Sequence, residues 1–326
     1  MTKMTYFLSL ILFASLLFGC GKLDEAASLN RPLGPEQPSD AVIKTDDELQ
    51  QQIVNIASEA KGKVGVYALV IETDRSVSIN GSERFAMQSV VKLPISMAVL
   101  RQIDERKLTL EQKIRVGKGE LVPSNMRSPI RDKNPNGTVM TVQELIRFAI
   151  SESDGTAADV LQRVAGDAKG VQAYIDSLGI TEMKVKYTHK EFGSEWKFQY
   201  ENWVTPEAAV TLLNGLYHHE GGTKDNGDLL LKFMTESNNP TGRLKAGLPP
   251  GAILAHKTGT GGTQNGVTSA TNDIGLITMP NGQHVAIAVF VGDSTADEKI
   301  REGVIAKIAK AVWDKWSVDE NKVRVK

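Results

Sequence analysis

Ser89-Val90-Val91-Lys92 sets a hydroxyl and an amine three residues apart, a spacing that on a helix puts both side chains on one face. A serine hydroxyl is a weak nucleophile until a base takes its proton. A lysine can be that base where burial or nearby positive charge lowers its pKa. Pro94 predicts a helix start, because a residue without an N–H is tolerated in the first turn and breaks later ones. Ser89 then sits where backbone N–H groups and the positive end of the helix dipole favour an oxyanion, as acyl transfer requires. Taken alone the motif is weak, since such a spacing arises by chance in many chains and is usually the solvated face of an ordinary helix.

Two further segments offer donors. Ser153-Asp154 precedes an apolar-periodic stretch as an N-cap pair; beyond capping, Ser153 could relay a proton. His256-Lys257-Thr258-Gly259-Thr260 ends an apolar strand, with Lys257 and Thr258 as donors to an anion and Gly259 permitting close backbone approach.

The elements that must position these groups are readable from periodicity. A stripe of Leu49, Ile53 and Ile56 predicts a helix from Asp46, followed by a strand over Val64–Ile71, its hairpin partner Ser76–Asn80, and a turn at Asn80-Gly81. From about 89 to 233 the three- and four-residue spacing of apolar residues predicts helices over Val91–Ile103, Thr141–Ser151, Asp154–Val164, Gly170–Leu178 and Pro206–Tyr217, with no strand of comparable quality between them. After Pro249 the pattern turns to strands over Ala252–Thr258, Asp273–Met279 and His284–Gly292, then a closing helix over Lys299–Trp316. Strands at both ends with helices between imply one sheet built from distant segments and a helical lobe inserted into it. The cleft between them is the expected place for a site.

The chain has 326 residues, 41% of them hydrophobic, enough for a core of one large domain or two ordinary ones. With 38 basic against 39 acidic residues, no bulk charge argues for nucleic acid or an acidic membrane surface, so function must come from a site. The N-terminus reads as export machinery: Lys3, a short apolar run over Tyr6–Phe18, then Gly19-Cys20. Residues 1–20 are expected to be a signal, 21–45 a Pro-, Ser-, Asn- and Gly-rich tether, and 46–318 the catalytic domain. A single cysteine precludes an intrachain disulfide. Five histidines without ligand spacing, apart from the adjacent pair His218-His219 at an expected helix end, imply no metal, and no cofactor is implied.

The three segments in this order, in a signal-bearing chain with strands outside and helices inside, resemble the class A serine β-lactamases. The likeness spans about Asp46 to Trp316. It is closest to the branch with Gln before the nucleophile, through Gln88-Ser89-Val90-Val91-Lys92-Leu93-Pro94, Gln199-Tyr200-Glu201-Asn202-Trp203 and Ala255-His256-Lys257-Thr258-Gly259-Thr260. It implies an α+β, transpeptidase-like fold: an antiparallel sheet flanked by N- and C-terminal helices, plus an all-helical lobe. It also implies hydrolysis of a small-molecule β-lactam by a monomer. By resemblance, Ser89 attacks the lactam carbonyl with Lys92 in the proton path, and Ser153 protonates the leaving nitrogen. Lys257, Thr258 and Thr260 hold the substrate carboxylate, and the N–H groups of Ser89 and Thr260 form the oxyanion hole. Arg243, in Thr241-Gly242-Arg243-Leu244-Lys245-Ala246-Gly247-Leu248-Pro249, is the candidate arginine of the carboxylate clamp. Leu17-Phe18-Gly19-Cys20 resembles a bacterial lipoprotein box, which implies lipidation at Cys20 and a periplasmic, membrane-anchored protein.

The resemblance breaks at two places. Gly155 stands where the family's second motif ordinarily carries Asn, so an amide that contacts the substrate and the lysine is missing. Aligning Tyr187-Thr188-His189-Lys190-Glu191-Phe192 with the branch's Thr-Glu-x-x-Met puts His189 where the family carries the glutamate that activates the deacylating water. The base is then Glu191 or Glu195 on a shifted loop, or His189 as a neutral imidazole, or absent. In the last case the acyl-enzyme would persist, as in a penicillin-binding or peptidoglycan-sensing protein. An aromatic wall is also absent from Ser124-Asn125-Met126-Arg127, where the branch places Trp or Tyr.

Overall fold

The structure, a computed structural model, describes residues 46–192, 194–237 and 242–317; the expected signal and tether, with Cys20, lie outside the described residues. Helix α1 (Asp47–Ala57) starts on the Asp46 carboxylate, which accepts the Leu49 N–H at 3.2 Å. The hairpin β1 (Lys63–Val70) and β2 (Arg75–Ile79) follows, then the two-residue β3 (Phe85–Ala86), after which the chain leaves the sheet. The excursion comprises α2 (Lys92–Asp104), β4 (Lys113–Gly117), α3 (Pro129–Lys133), β5 (Gly137–Thr141), α4 (Val142–Ser151), α5 (Gly155–Val164) and α6 (Asp167–Ser177). It continues through β6 (Met183–Lys184), α7 (His189–Phe192), β7 (Trp203–Val204), α8 (Pro206–Tyr217) and α9 (Lys224–Thr235). The chain returns as β8 (Ile253–Thr260), β9 (Thr263–Gln264), β10 (Val267–Thr278) and β11 (His284–Ser294), and α10 (Glu298–Trp316) closes the described part.

The main sheet is antiparallel, in the order β2-β1-β11-β10-β8, with β9 pairing on β10. β1 lies against β11, with Val66 opposite Val289, so both ends of the chain build one sheet as expected. Alternation along β11 explains its unbroken apolar run. Val285, Ile287, Val289 and Val291 pack with Leu49 and Ile53 of α1 and Val304, Ile308 and Val312 of α10. Ala286, Ala288 and Phe290 face the other core, with Leu93 of α2, Leu145 of α4 and Leu161 of α5. A strand covered on both faces has no polar side to show.

The inserted lobe differs from expectation in two respects. It is not purely helical: β4 pairs with β5, and β3, β7 and β6 form a small sheet. β4 alternates polar and apolar residues over only Lys113-Ile114-Arg115-Val116, too short a run to stand out among the helices, and β5, largely part-exposed, shows no alternation. The structure also adds α9, held against the lobe by buried Leu230, Phe233 and Met234.

Candidate active site

Ser89 sits in a 3-10 turn, Gln88–Val91, that runs directly into α2. Gln88 adopts φ +49°, a left-handed conformation costly for a residue with a long side chain, so its surroundings must hold it. The buried Gln88 Nε2 donates to Gln199 Oε1 at 2.9 Å, and Asn272 Nδ2 donates to Ala86 O at 2.8 Å, tying this turn to the loop on one side and to β10 on the other. β8 approaches the turn closely. A Cβ at Gly259 would lie 2.6 Å from Met87 O, so only glycine lets the strand pass there.

Lys92 is buried, and its Nζ lies 2.7 Å from Ser89 Oγ, 2.8 Å from Ser153 O and 3.3 Å from Ser153 Oγ. Burial lowers its pKa to about 7, against the opposing pull of Asp154 and Asp159. The amine is therefore neutral in a large fraction of molecules near neutrality and can take the serine proton. The carbonyl of Ser153 holds this lysine without the amide missing at Gly155. Asp154, not Ser153, caps α5, accepting the Ala157 N–H at 2.9 Å; the cap leaves Ser153 in the turn before it, at φ +53°. Burial raises the Asp154 pKa, while the N–H groups of Ile130 and Ala157 oppose that rise.

Lys257 is also buried, and its Nζ donates to Ser153 Oγ at 2.9 Å and to Thr258 O at 2.9 Å. Burial, reinforced by the charge of Lys92, holds its pKa well below the usual lysine range. Gly261 N–H donates to Ala270 O, and Thr260 is the next residue back along the edge strand β8. Antiparallel alternation then turns the Thr260 N–H away from β10, toward the cleft side, as an oxyanion donor would be. Arg243 is 1% exposed and is not the surface cation that a clamp residue could equally have been. It donates to Gly259 O (3.0 Å), Asn272 O (2.9 Å) and Thr260 Oγ1 (2.7 Å), and its Nε pairs with Glu302 at 3.0 Å. Its charge thus stands behind β8 and reaches the cleft through the Thr260 hydroxyl.

These groups surround a cavity of about 530 Å³, within the usual range for a small-molecule site. Ser89, Lys92, Ser153, Thr258 and Thr260 line it, with Asn125, Met126, Arg127, Gly155, His189, Phe192, Trp196 and Gln199. Among the described residues no carboxylate lines it. Glu191 stands outside: its exposed carboxylate is bound to the Thr188 N–H and hydroxyl at 2.7 and 2.8 Å, closing the first turn of α7. Glu195 is exposed and paired with Lys197 at 2.9 Å. His189 is buried; its N–H donates to Asp159 Oδ1 at 2.7 Å, its Nδ1 lies 3.1 Å from the same oxygen, and its Nε2 meets no partner among the described residues. Burial and the charge of Lys92 bring its pKa to about 4, against the pull of Asp159. The aromatic surface of the cavity comes from Phe192 and Trp196, not from Ser124-Asn125-Met126-Arg127. Asp159 and these two aromatics carry no motif that would single them out. Among the described residues no cluster of His, Cys, Asp and Glu could hold a metal ion.

Residues 48–316 match the model of the β-lactamase enzyme family. β-Lactamase VEB-1 of Pseudomonas aeruginosa is 37% identical over 82% of this chain and 90% of its own length. A β-lactamase structure from Chitinophaga pinensis superposes with a TM-score of 0.81 at 42% identity, covering 82% of this chain and 99% of that one. A class A β-lactamase structure from Bacteroides cellulosilyticus gives 0.79 at 33% identity, over 84% and 98%. The match spans both the sheet that carries Lys257 and the lobe that carries Ser89 and Ser153, and the chain belongs to the β-lactamase enzyme family, class A.

Proposed function

We propose that this protein hydrolyses β-lactam antibiotics through an ester on Ser89. The observation that carries the reading is the 2.7 Å approach of the buried Lys92 amine, with its pKa near 7, to the Ser89 hydroxyl on a cavity wall. Lys92 takes the hydroxyl proton as Ser89 Oγ bonds to the lactam carbon, and the N–H groups of Ser89 and Thr260 receive the oxyanion. The Ser153 oxygen accepts from both lysines, leaving its own proton to pass to the lactam nitrogen as the C–N bond breaks, and the proton that Lys92 took from Ser89 then restores the Ser153 hydroxyl. The hydroxyls of Thr258 and Thr260, backed by the charges of Lys257 and Arg243, receive the substrate carboxylate. VEB-1 and the Chitinophaga pinensis relative are named as β-lactamases, which supports the substrate class.

One chain supplies the whole site, in keeping with a monomer. The lipobox-like Leu17-Phe18-Gly19-Cys20 supports lipidation at Cys20 and a membrane-anchored place in the periplasm. A time course of a chromogenic cephalosporin with mass spectrometry of the quenched protein tests the reaction. Hydrolysis with a transient adduct on the Ser89 peptide, abolished in Ser89→Ala, is expected. No adduct on the wild type, or an adduct that survives Ser89→Ala, would overturn it.

A further inference from the structure

On the cavity wall, His189 has its Nδ1 held by Asp159 while its Nε2 meets no partner among the described residues. It begins the single-turn α7 and is packed against α5, where Asp159 accepts three donors from this loop: the His189 N–H at 2.7 Å, the Lys190 N–H at 2.9 Å and the His189 ring. An ionised carboxylate only accepts, so Nδ1 must carry the proton and Nε2 must be the lone-pair end. That Nε2 is fully buried, lacks a partner among the described residues, and belongs to a residue lining the same cavity as Ser89 and Lys92. An unpartnered buried nitrogen costs stability, and such an exception asks for an explanation. A water molecule as the missing partner supplies one. The carboxylates nearest in sequence, Glu191 and Glu195, are turned to Thr188 and Lys197.

We propose that Asp159 and His189 form a dyad in which His189 Nε2 is the general base for the water that hydrolyses the Ser89 ester, with Asp159 as the positioning residue that fixes the tautomer. The inference rests on the β-lactam reading above and deepens it. The water oxygen bonds to the ester carbonyl carbon as its proton passes to Nε2. The intermediate collapses with cleavage of the carbon–Oγ bond, and the imidazolium proton passes through the neutral Lys92 amine to Ser89 Oγ. The product is the ring-opened acid, and every group ends in its starting state.

The charged groups around the ring are Asp159 from α5, Lys92 from α2 and Lys257 from β8. The two lysines and burial keep the imidazole neutral across the physiological range, as a base must be, and bring its strength close to that of a carboxylate. A histidine in this setting can therefore do work that a glutamate would otherwise do.

The test follows the ester on the intact protein by stopped-flow with a chromogenic cephalosporin and by mass spectrometry after quenching. In His189→Gln the burst should keep an amplitude of about one equivalent, while deacylation should slow by roughly 10²–10⁴-fold, as loss of a general base does. His189→Glu should restore deacylation, because a carboxylate can take the same proton. A merely structural histidine would not be rescued by that change. Wild-type-rate deacylation in His189→Gln overturns the dyad, as does a His189→Glu variant as slow as His189→Gln. Should either variant fail to fold, the tautomer is read in the wild type from the imidazole ¹⁵N shifts. A proton on Nδ1 is expected, and one on Nε2 overturns the proposal. Failure of the underlying reading shows differently, as a wild type that forms no adduct at all.

Discussion

Lys92 and Lys257, which lie on different lobes, converge on a single oxygen: their Nζ atoms stand 3.3 and 2.9 Å from Ser153 Oγ. Among the described residues neither lysine is paired with a carboxylate within hydrogen-bonding distance; both are buried, and both have lowered pKa values. The packing of the lobe onto the sheet thus buries two ordinary lysines and lowers the pKa of each.

Ester formation on Ser89 should follow the neutral form of Lys92. A depressed lysine is protonated below its pKa, so the acylation rate should rise as pH climbs through about 7 and level off above it. Single-turnover acylation between pH 5.5 and 8.5, with the adduct quantified by mass, measures this. A flat profile would remove Lys92 from the proton path.

Gly155→Asn should be accepted by the fold, since the nearest walls to an added Cβ, Arg127 O and the Val122 methyl groups, are 3.4 Å away. The amide would face substrate in the cavity. One new hydrogen bond of about 1 kcal/mol lowers KM roughly five-fold for β-lactams bearing an acylamido side chain and leaves those without one unchanged. Steady-state kinetics with a matched pair of substrates decides the matter.

Arg243→Ala should damage both stability and binding. It strands Glu302 and empties a buried guanidinium site, a change of the kind that costs about 3–5 kcal/mol. It also frees the Thr260 hydroxyl, so KM for carboxylate-bearing substrates should rise. Denaturant melts and kinetics on the same preparation separate the two effects; a variant unchanged in both would show that the buried network is dispensable.

Acid should weaken the fold through His189. Its folded pKa, about 4, lies below the unfolded value near 6.5, so between these the unfolded chain binds the extra proton. Stability attributable to this residue is therefore full above pH 6.5 and declines as pH falls to 4, by up to about 3 kcal/mol. Urea melts at pH 7.5 and 4.5 should show a smaller acid loss in His189→Gln than in the wild type. Equal losses would place the acid sensitivity elsewhere.

Metabolic labelling with palmitate should mark the wild type and spare Cys20→Ala, because the cysteine directly follows the apolar run. A soluble, unlabelled wild type cut at another position would contradict anchoring.

The sequence by itself determined what depends on neighbours along the chain. Ser89 and Lys92 are three residues apart, and one helical turn joins them whatever surrounds it. Period-two and period-four apolar spacing likewise announced the β1–β2 hairpin, the major helices and the paired end strands, because one buried face per element leaves that trace. Only the tertiary structure could set His189 on the cavity wall and Glu191 outside it. They are two residues apart on one turn, and what turns the first inward is Asp159, thirty residues earlier, while Thr188 holds the second outward. The same holds for Lys257 and Ser153, 104 residues apart, and for Arg243, whose burial behind β8 no local pattern announces. Hydrophobic periodicity records which face of a segment is buried, not which polar atom waits on the other side; that is settled only when distant segments pack.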